Sequence, residues 1–123
     1  YKSYDLQENK GVVLTSAQNT EKEFILVKAE RKMFKVYLED IYFLESLKDY
    51  LVIQKKDKKI ITKNLISYFE EILPTHKFLR IHKSYIVNRD KIEAFSPVSV
   101  EIFGKELPIG RNYKNEVLKE LSK

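Results

Sequence analysis

From Glu23 onward, apolar and polar positions fall into short runs that repeat every two residues or stay apolar throughout. "EFILVKA" and "KMFKVYL" are rich in β-branched and aromatic residues and are separated by "ERK", the pattern of a hairpin. "DIYFLES" resumes as a strand after a polar break at Glu39–Asp40. "YLVIQ", the turn-like "KKDKK" and "IITK" predict a second hairpin with lysines at its tip. "FLRIHKSYIVN" is another strand-like apolar run, though Arg80, His82, Lys83 and Ser84 interrupt it. "KIEAF", "VSVEIFG" and "KELPI" predict three more short strands, with Gly104 at a tight turn.

Two stretches break this rhythm. In "NLISYFEEILP", Leu65, Ile66, Phe69, Ile72 and Leu73 share one face of a helix. Asn64 is placed to cap its start and Pro74 to stop it. "RNYKNEVLKELSK" puts Tyr113, Val117, Leu118 and Leu121 on one face of a terminal helix, entered through Gly110. The sum is about eight short strands with one internal and one C-terminal helix, read by period. Strands and helices do not alternate, so a doubly wound sheet is not expected. The expected class is mostly β, built of small antiparallel sheets. "YKSYDLQENKGVVLTSAQNT" has no sustained period, so residues 1–22 read as an N-terminal linker and residues 23–123 as one domain.

Composition narrows the setting. The 123 residues suit a single domain, and 43% hydrophobic content supports a core. No window holds 18 consecutive apolar residues, so no helical membrane span is expected. No signal-peptide pattern opens the chain and there is no cysteine, so a cytoplasmic location is expected.

The net charge of +5 is unevenly spread. Residues 48–91 carry 11 Lys/Arg against 5 Asp/Glu, whereas residues 92–123 carry five of each. Clustered cations in a small domain suggest a polyanion partner; a solvated lysine-rich hairpin is the plain alternative. The cations form three groups. One is Lys48 with the hairpin Lys55, Lys56, Lys58 and Lys59. The second surrounds the polar run, with Lys77, Arg80, Lys83, Arg89 and Lys91. The third is Arg111, at the apparent start of the terminal helix. A cation there opposes the macrodipole, and a docked anion would reverse that sign.

Other chemistry finds little support. His82 and Ser84 are two apart and would share a strand face, but no orienting acid or G-x-S-x-G elbow accompanies them. An enzyme is therefore not expected. His76 and His82 have no carboxylate at a ligand-like offset, and the three glycines form no phosphate-binding motif. No metal or cofactor is expected. Tyr50 and Tyr85 lie beside basic groups and could stack on single-stranded bases if they face outward.

The run "FLRIHKSYIVNRDKIEAF" (78–95) resembles the signature of the LytTR DNA-binding domain. Phe78, Arg80, His82, Lys83, Ser84, Tyr85, Val87, Asn88 and Ile92 fill the family's places, with Lys83 where Arg is usual. "DIYFLESLKDYLVI", "NLISYFEEILP" and "LPIGRNYKNEVLKEL" resemble its flanking strand, helix and C-terminal segment, with Gly110 where Ser is common. The likeness spans about residues 24–121.

The resemblance implies a domain that binds duplex DNA through loops and serves as the output half of a two-component response regulator. It also implies an upstream receiver domain in the full-length chain and dimers on direct repeats. Base contacts are expected from Lys48, Asp49, Tyr50, Lys83 and Arg111. Backbone contacts are expected from His82, Ser84, Asn88, Lys55, Lys56, Arg89 and Asn112. For His82 and Asn88, internal hydrogen bonding is an equal alternative. A regulatory module of the same fold, meeting an acidic protein partner, is the alternative from another class.

Overall fold

The computed structural model describes residues 23–122 and, before them, the backbone of Val13–Leu14. That pair is strand β1. It joins β2 (Phe24–Ala29) and β3 (Lys32–Tyr37) in an antiparallel sheet. So the stretch expected to be linker contributes one short strand; its other residues lie outside the described ones. Glu30 and Arg31, at φ 52° and 64°, form the β2–β3 turn. Both angles are left-handed, as a two-residue type I′ turn requires.

The centre of the molecule is a five-stranded antiparallel sheet in the order β6-β5-β4-β8-β7. Its strands are β4 (Ile41–Leu47), β5 (Tyr50–Lys55), β6 (Lys59–Thr62), β7 (Phe78–His82) and β8 (Tyr85–Asn88). Helix α1 (Ile66–Ile72) links β6 to β7. A third sheet is made by β9 (Ile92–Phe95), β10 (Ser99–Ile102) and β11 (Lys105–Pro108). Phe103 and Gly104, at φ 55° and 70°, turn β10 into β11. A 3-10 turn, Arg111–Tyr113, then leads into α2 (Lys114–Leu121).

The central sheet is buried on both faces, and this explains its apolar runs. Successive side chains of a strand point to opposite sides. Leu44, Leu51, Ile53 and Ile86 meet Ile25, Val27 and Val36 of the first sheet and Phe69 and Leu73 at α1. Phe43, Leu79, Ile81 and Val87 meet Val100, Ile102 and Leu107 of the third sheet and Val117 of α2. Each such Leu, Ile or Phe contributes about 1.5–3 kcal/mol by leaving water.

Four details differ from the sequence reading. Eleven strands are present among the described residues rather than about eight: the run at 78–88, read as one strand, is the β7–β8 hairpin, and Val13–Leu14 adds β1. Leu65 is 69% exposed, not on the helix's buried face. It is the N-cap, with an extended backbone at φ −97° and ψ 143°, so the helical period does not reach it. Asn64 stands one residue earlier; its Oδ1 accepts the Leu65 N–H at 3.0 Å and does not cap the first turn. At the other end, α2 begins only at Lys114, so Arg111 belongs to a 3-10 turn ahead of the helix proper.

Candidate nucleic-acid interface

Strand direction decides which loops meet. The β4–β5 hairpin closes at the Leu47–Tyr50 pair, and its tip is Lys48–Asp49. The β7–β8 hairpin closes at the His82–Tyr85 pair, and its tip is Lys83–Ser84. Because β4 pairs β8 with Glu45 opposite Tyr85, both tips lie at one end of the sheet. The Ser46 N–H donates to the Ser84 carbonyl at 2.9 Å and ties them together. A third segment arrives from β11. The Gly110 N–H donates to the Ile81 carbonyl at 2.7 Å, which lays the Arg111–Tyr113 turn along the end of β7. A Cβ on Gly110 would meet His82 Cδ2 at 3.4 Å and Tyr113 Cδ2 at 3.0 Å, so the two segments are in close contact.

The side chains at this end point outward. Lys48, Asp49, Lys83, Arg111 and Asn112 are exposed, and Tyr50 is 51% exposed. Lys48 holds φ at +48°, a left-handed conformation that a side chain adopts at a cost. The register adds Lys63, which the sequence grouping passed over. It follows Thr62, the partner of Leu51, and so stands beside the Tyr50 end of β5. Only the strand pairing reveals it.

His82 is half-buried and acts in shaping the turn. Its Nδ1 accepts the backbone N–H of Ser84 at 3.0 Å. In the neutral ring that bond leaves the proton on Nε2. Burial pushes the imidazole pKa down, and the neighbouring charges of Lys83 and Arg80 push the same way. His82 therefore offers one neutral N–H rather than a cation. Because the Ser84 backbone, not its hydroxyl, engages the ring, the pair lacks the geometry of a nucleophile and base.

Tyr85 faces inward compared with Tyr50. Its hydroxyl donates to Glu45 Oε2 at 3.2 Å, and its ring packs on His82 and Phe43. Burial, then the Glu45 carboxylate, raises its pKa. Tyr50 is the aromatic available for contact.

Arg80, a member of the second basic group, is spent inside the protein. Its Nε donates to the His82 carbonyl at 2.8 Å and its Nη2 to the Lys83 carbonyl at 2.7 Å. Its Nη1 pairs with Glu70 of α1. The guanidinium also lies 5.6 Å from the Tyr113 ring centroid.

Four expected backbone-contact residues do not join this surface. Asn88 is 3% exposed. Its Nδ2 donates to the Ile41 carbonyl at 2.8 Å, and its Oδ1 accepts from Asp90 N–H at 3.0 Å. The internal alternative holds for it. Lys55 and Lys56 sit at the opposite end of the sheet, because β5 starts at the tip cluster with Tyr50 and runs away from it. Five steps of about 3.4 Å put Lys55 roughly 17 Å from Tyr50. Arg89 follows Asn88 at that same far end, half-buried, with Nη2 on Glu120 of α2 at 3.0 Å.

Among the described residues no group of three or more His, Asp or Glu side chains could hold a metal ion. No helix among them is long and apolar enough to cross a membrane.

A mostly β scaffold that gathers three polar, largely basic loops at one sheet end defines a loop-presenting binding domain. Residues 31–122 match the LytTr DNA-binding domain family model, and the chain belongs to that family. It is 26% identical over 113 residues to the sensory transduction protein LytT of Enterococcus faecalis, covering 87% of this chain and 47% of that protein. It is 25% identical over 121 residues to LytT of Bacillus anthracis, covering 94% of this chain and 48% of that one. The chain thus spans about half the length of these curated relatives. A solved LytTr DNA-binding domain from Bacillus cereus superposes with a TM-score of 0.72 at 22% identity, over 84% of this chain and 99% of that one. That likeness speaks for the fold: small antiparallel sheets with two helices.

Proposed function

We propose that this DNA-binding domain reads a specific duplex sequence and is the output half of a cytoplasmic two-component response regulator, with a receiver domain elsewhere in the full-length protein. The observation that carries the reading is the convergence of the Lys48–Asp49, Lys83–Ser84 and Arg111–Asn112 segments at one end of the central sheet. The three probes are two hairpin tips and a turn that precedes α2, so they suit a groove without a recognition helix. The relatives named LytT are sensory transduction proteins, and the part of their length that this chain leaves uncovered allows for a receiver.

In this reading Arg111 contacts guanine in the major groove with its planar fork. Lys83 reaches a base edge or a phosphate through a single ammonium, a weaker guanine reader than Arg. Asp49 accepts from a cytosine amino group, and Tyr50 touches a thymine methyl or a phosphate. Lys48 joins them at the groove. His82 Nε2–H, Ser84 and Asn112 bind backbone phosphates and set register. Two domains on directly repeated half-sites complete the assembly.

The test is selection of bound sites from a random duplex pool, followed by salt titration of the selected and random duplexes. An affinity gap that persists as salt rises supports specific reading. Equal binding of both, or tighter binding of single strands, would refute it.

A further inference from the structure

The signature run contains two cations three residues apart, Arg80 and Lys83, and the structure gives them opposite fates. Lys83 is exposed at the hairpin tip. The Arg80 side chain is only 13% exposed, although it carries a full charge. A guanidinium held this far from solvent needs its donors satisfied. Three of its nitrogens are, and their partners are informative. Two are the successive carbonyls of His82 and Lys83, at the start of the β7–β8 turn. The third is the Glu70 carboxylate of α1. The face of Tyr113, two residues after Arg111, closes the arrangement at 5.6 Å. One rigid plane thus touches the turn that carries Lys83, the turn that carries Arg111, and the helix behind both.

We infer that Arg80 is a positioning residue for DNA reading: it sets the Lys83 turn and the Arg111 turn at a fixed separation, with Glu70 anchoring it to α1. Only a fork can do this. A lysine at position 80 has one ammonium and cannot hold two carbonyls and a carboxylate in one plane. The hydrophobic core does not depend on it, because the buried clusters on both faces of the sheet consist of other side chains. Its loss should loosen the mutual placement of the two base-facing cations more than the fold. A misplaced reader still meets phosphates, which ask for charge, but no longer meets a particular base edge, which asks for geometry. Arg80 therefore acts on specificity through residues other than itself.

This inference rests on the base-reading role of Lys83 and Arg111, so its test separates the two claims. Arg80→Lys, Arg80→Gln and Glu70→Gln are compared with the parent chain on a pool-selected duplex and on a random duplex, with a thermal melt of each variant. For Arg80→Lys the selected-to-random affinity ratio should fall about tenfold, the weight of one good base contact, while random-duplex affinity falls far less. Glu70→Gln, on the exposed side of the pair, should lower the ratio in the same direction by less. Without DNA, the amide resonances of Lys83, Ser84 and Tyr113 should move together in the Arg80 variants, while that of Val117 in the core stays in place. A folded Arg80→Lys protein with the parent's ratio overturns the inference. So does an Arg80→Lys protein that fails to fold, paired with a Glu70→Gln protein of parental ratio. If the parent chain itself shows no gap between the duplexes, base reading fails, and the amide shifts still report whether Arg80 couples the two turns.

Discussion

Gly110 and Ile81 are joined by a backbone hydrogen bond of 2.7 Å, and this bond brings Arg111 to a hairpin tip, Lys83–Ser84, that lies nearly thirty residues earlier in the chain. The contact is made by main chain, so it holds whatever side chain follows. It turns a residue at the mouth of a helix into the neighbour of His82.

Arg111→Ala should cost about 1–3 kcal/mol on the cognate duplex and relax preference at one base position. Competition binding against single-base variants of the selected site measures both. Equal weakening on cognate and random duplexes would mean that Arg111 does not read a base.

The two ends of the sheet should separate in a salt titration. Lys48→Ala or Lys83→Ala should flatten the slope of log affinity against log salt by about 1 each, because each removes one cation that displaces counterions from the duplex. Lys55→Ala and Lys56→Ala together should leave that slope where it was, since both lie at the far end. A slope that drops with the far-end pair would show that DNA wraps the whole sheet.

Asn88→Ala should destabilise the fold by about 1–3 kcal/mol, because it leaves the Ile41 carbonyl and the Asp90 N–H without their partner. In a domain of this size, each kcal/mol lowers Tm by roughly 4–8 °C. Thermal denaturation checks the loss. The bases preferred in pool selection should be those of the parent chain.

His82 predicts a pH effect of definite sign. Burial first, then Lys83 and Arg80, lower its pKa in the folded state below the usual value of 6.5. The unfolded chain therefore takes up the proton first as pH falls. Stability from this group is complete above pH 6.5 and is lost as pH drops through the lowered folded value. Melts between pH 7.5 and 5 should show this decline, and His82→Gln should flatten it. A decline of equal size in the variant would assign it to other groups.

Much of this architecture can be read along the chain because the central sheet is buried on both sides. "YIV", "YLVI" and "IYFL" are apolar without a break, and α1 and α2 stand out by their different period. What the chain hides is non-local. Lys48 and Lys55 are seven residues apart in one basic group, yet strand β5 carries them to opposite ends of the sheet. Lys63 looks like one more surface lysine until pairing sets it beside Tyr50. Arg80 and Lys83 are both cations in one short motif. No periodicity tells the one whose donors turn inward from the one that faces out. The inward fate of Asn88 was equally open, since a polar residue at the end of a strand can cap the next turn from inside or meet solvent.

The 2.9 Å bond from Ser46 to Ser84 also uses main chain alone. The pitch between the first two probes is therefore independent of what the probes are. Side chains at positions 49 and 83 can be exchanged without retuning the spacing that makes them work together, and position 48, at φ +48°, accepts residues that tolerate a left-handed backbone. The domain behaves as a holder with interchangeable bits, so a library restricted to those three positions should yield new operator preferences on an unaltered frame.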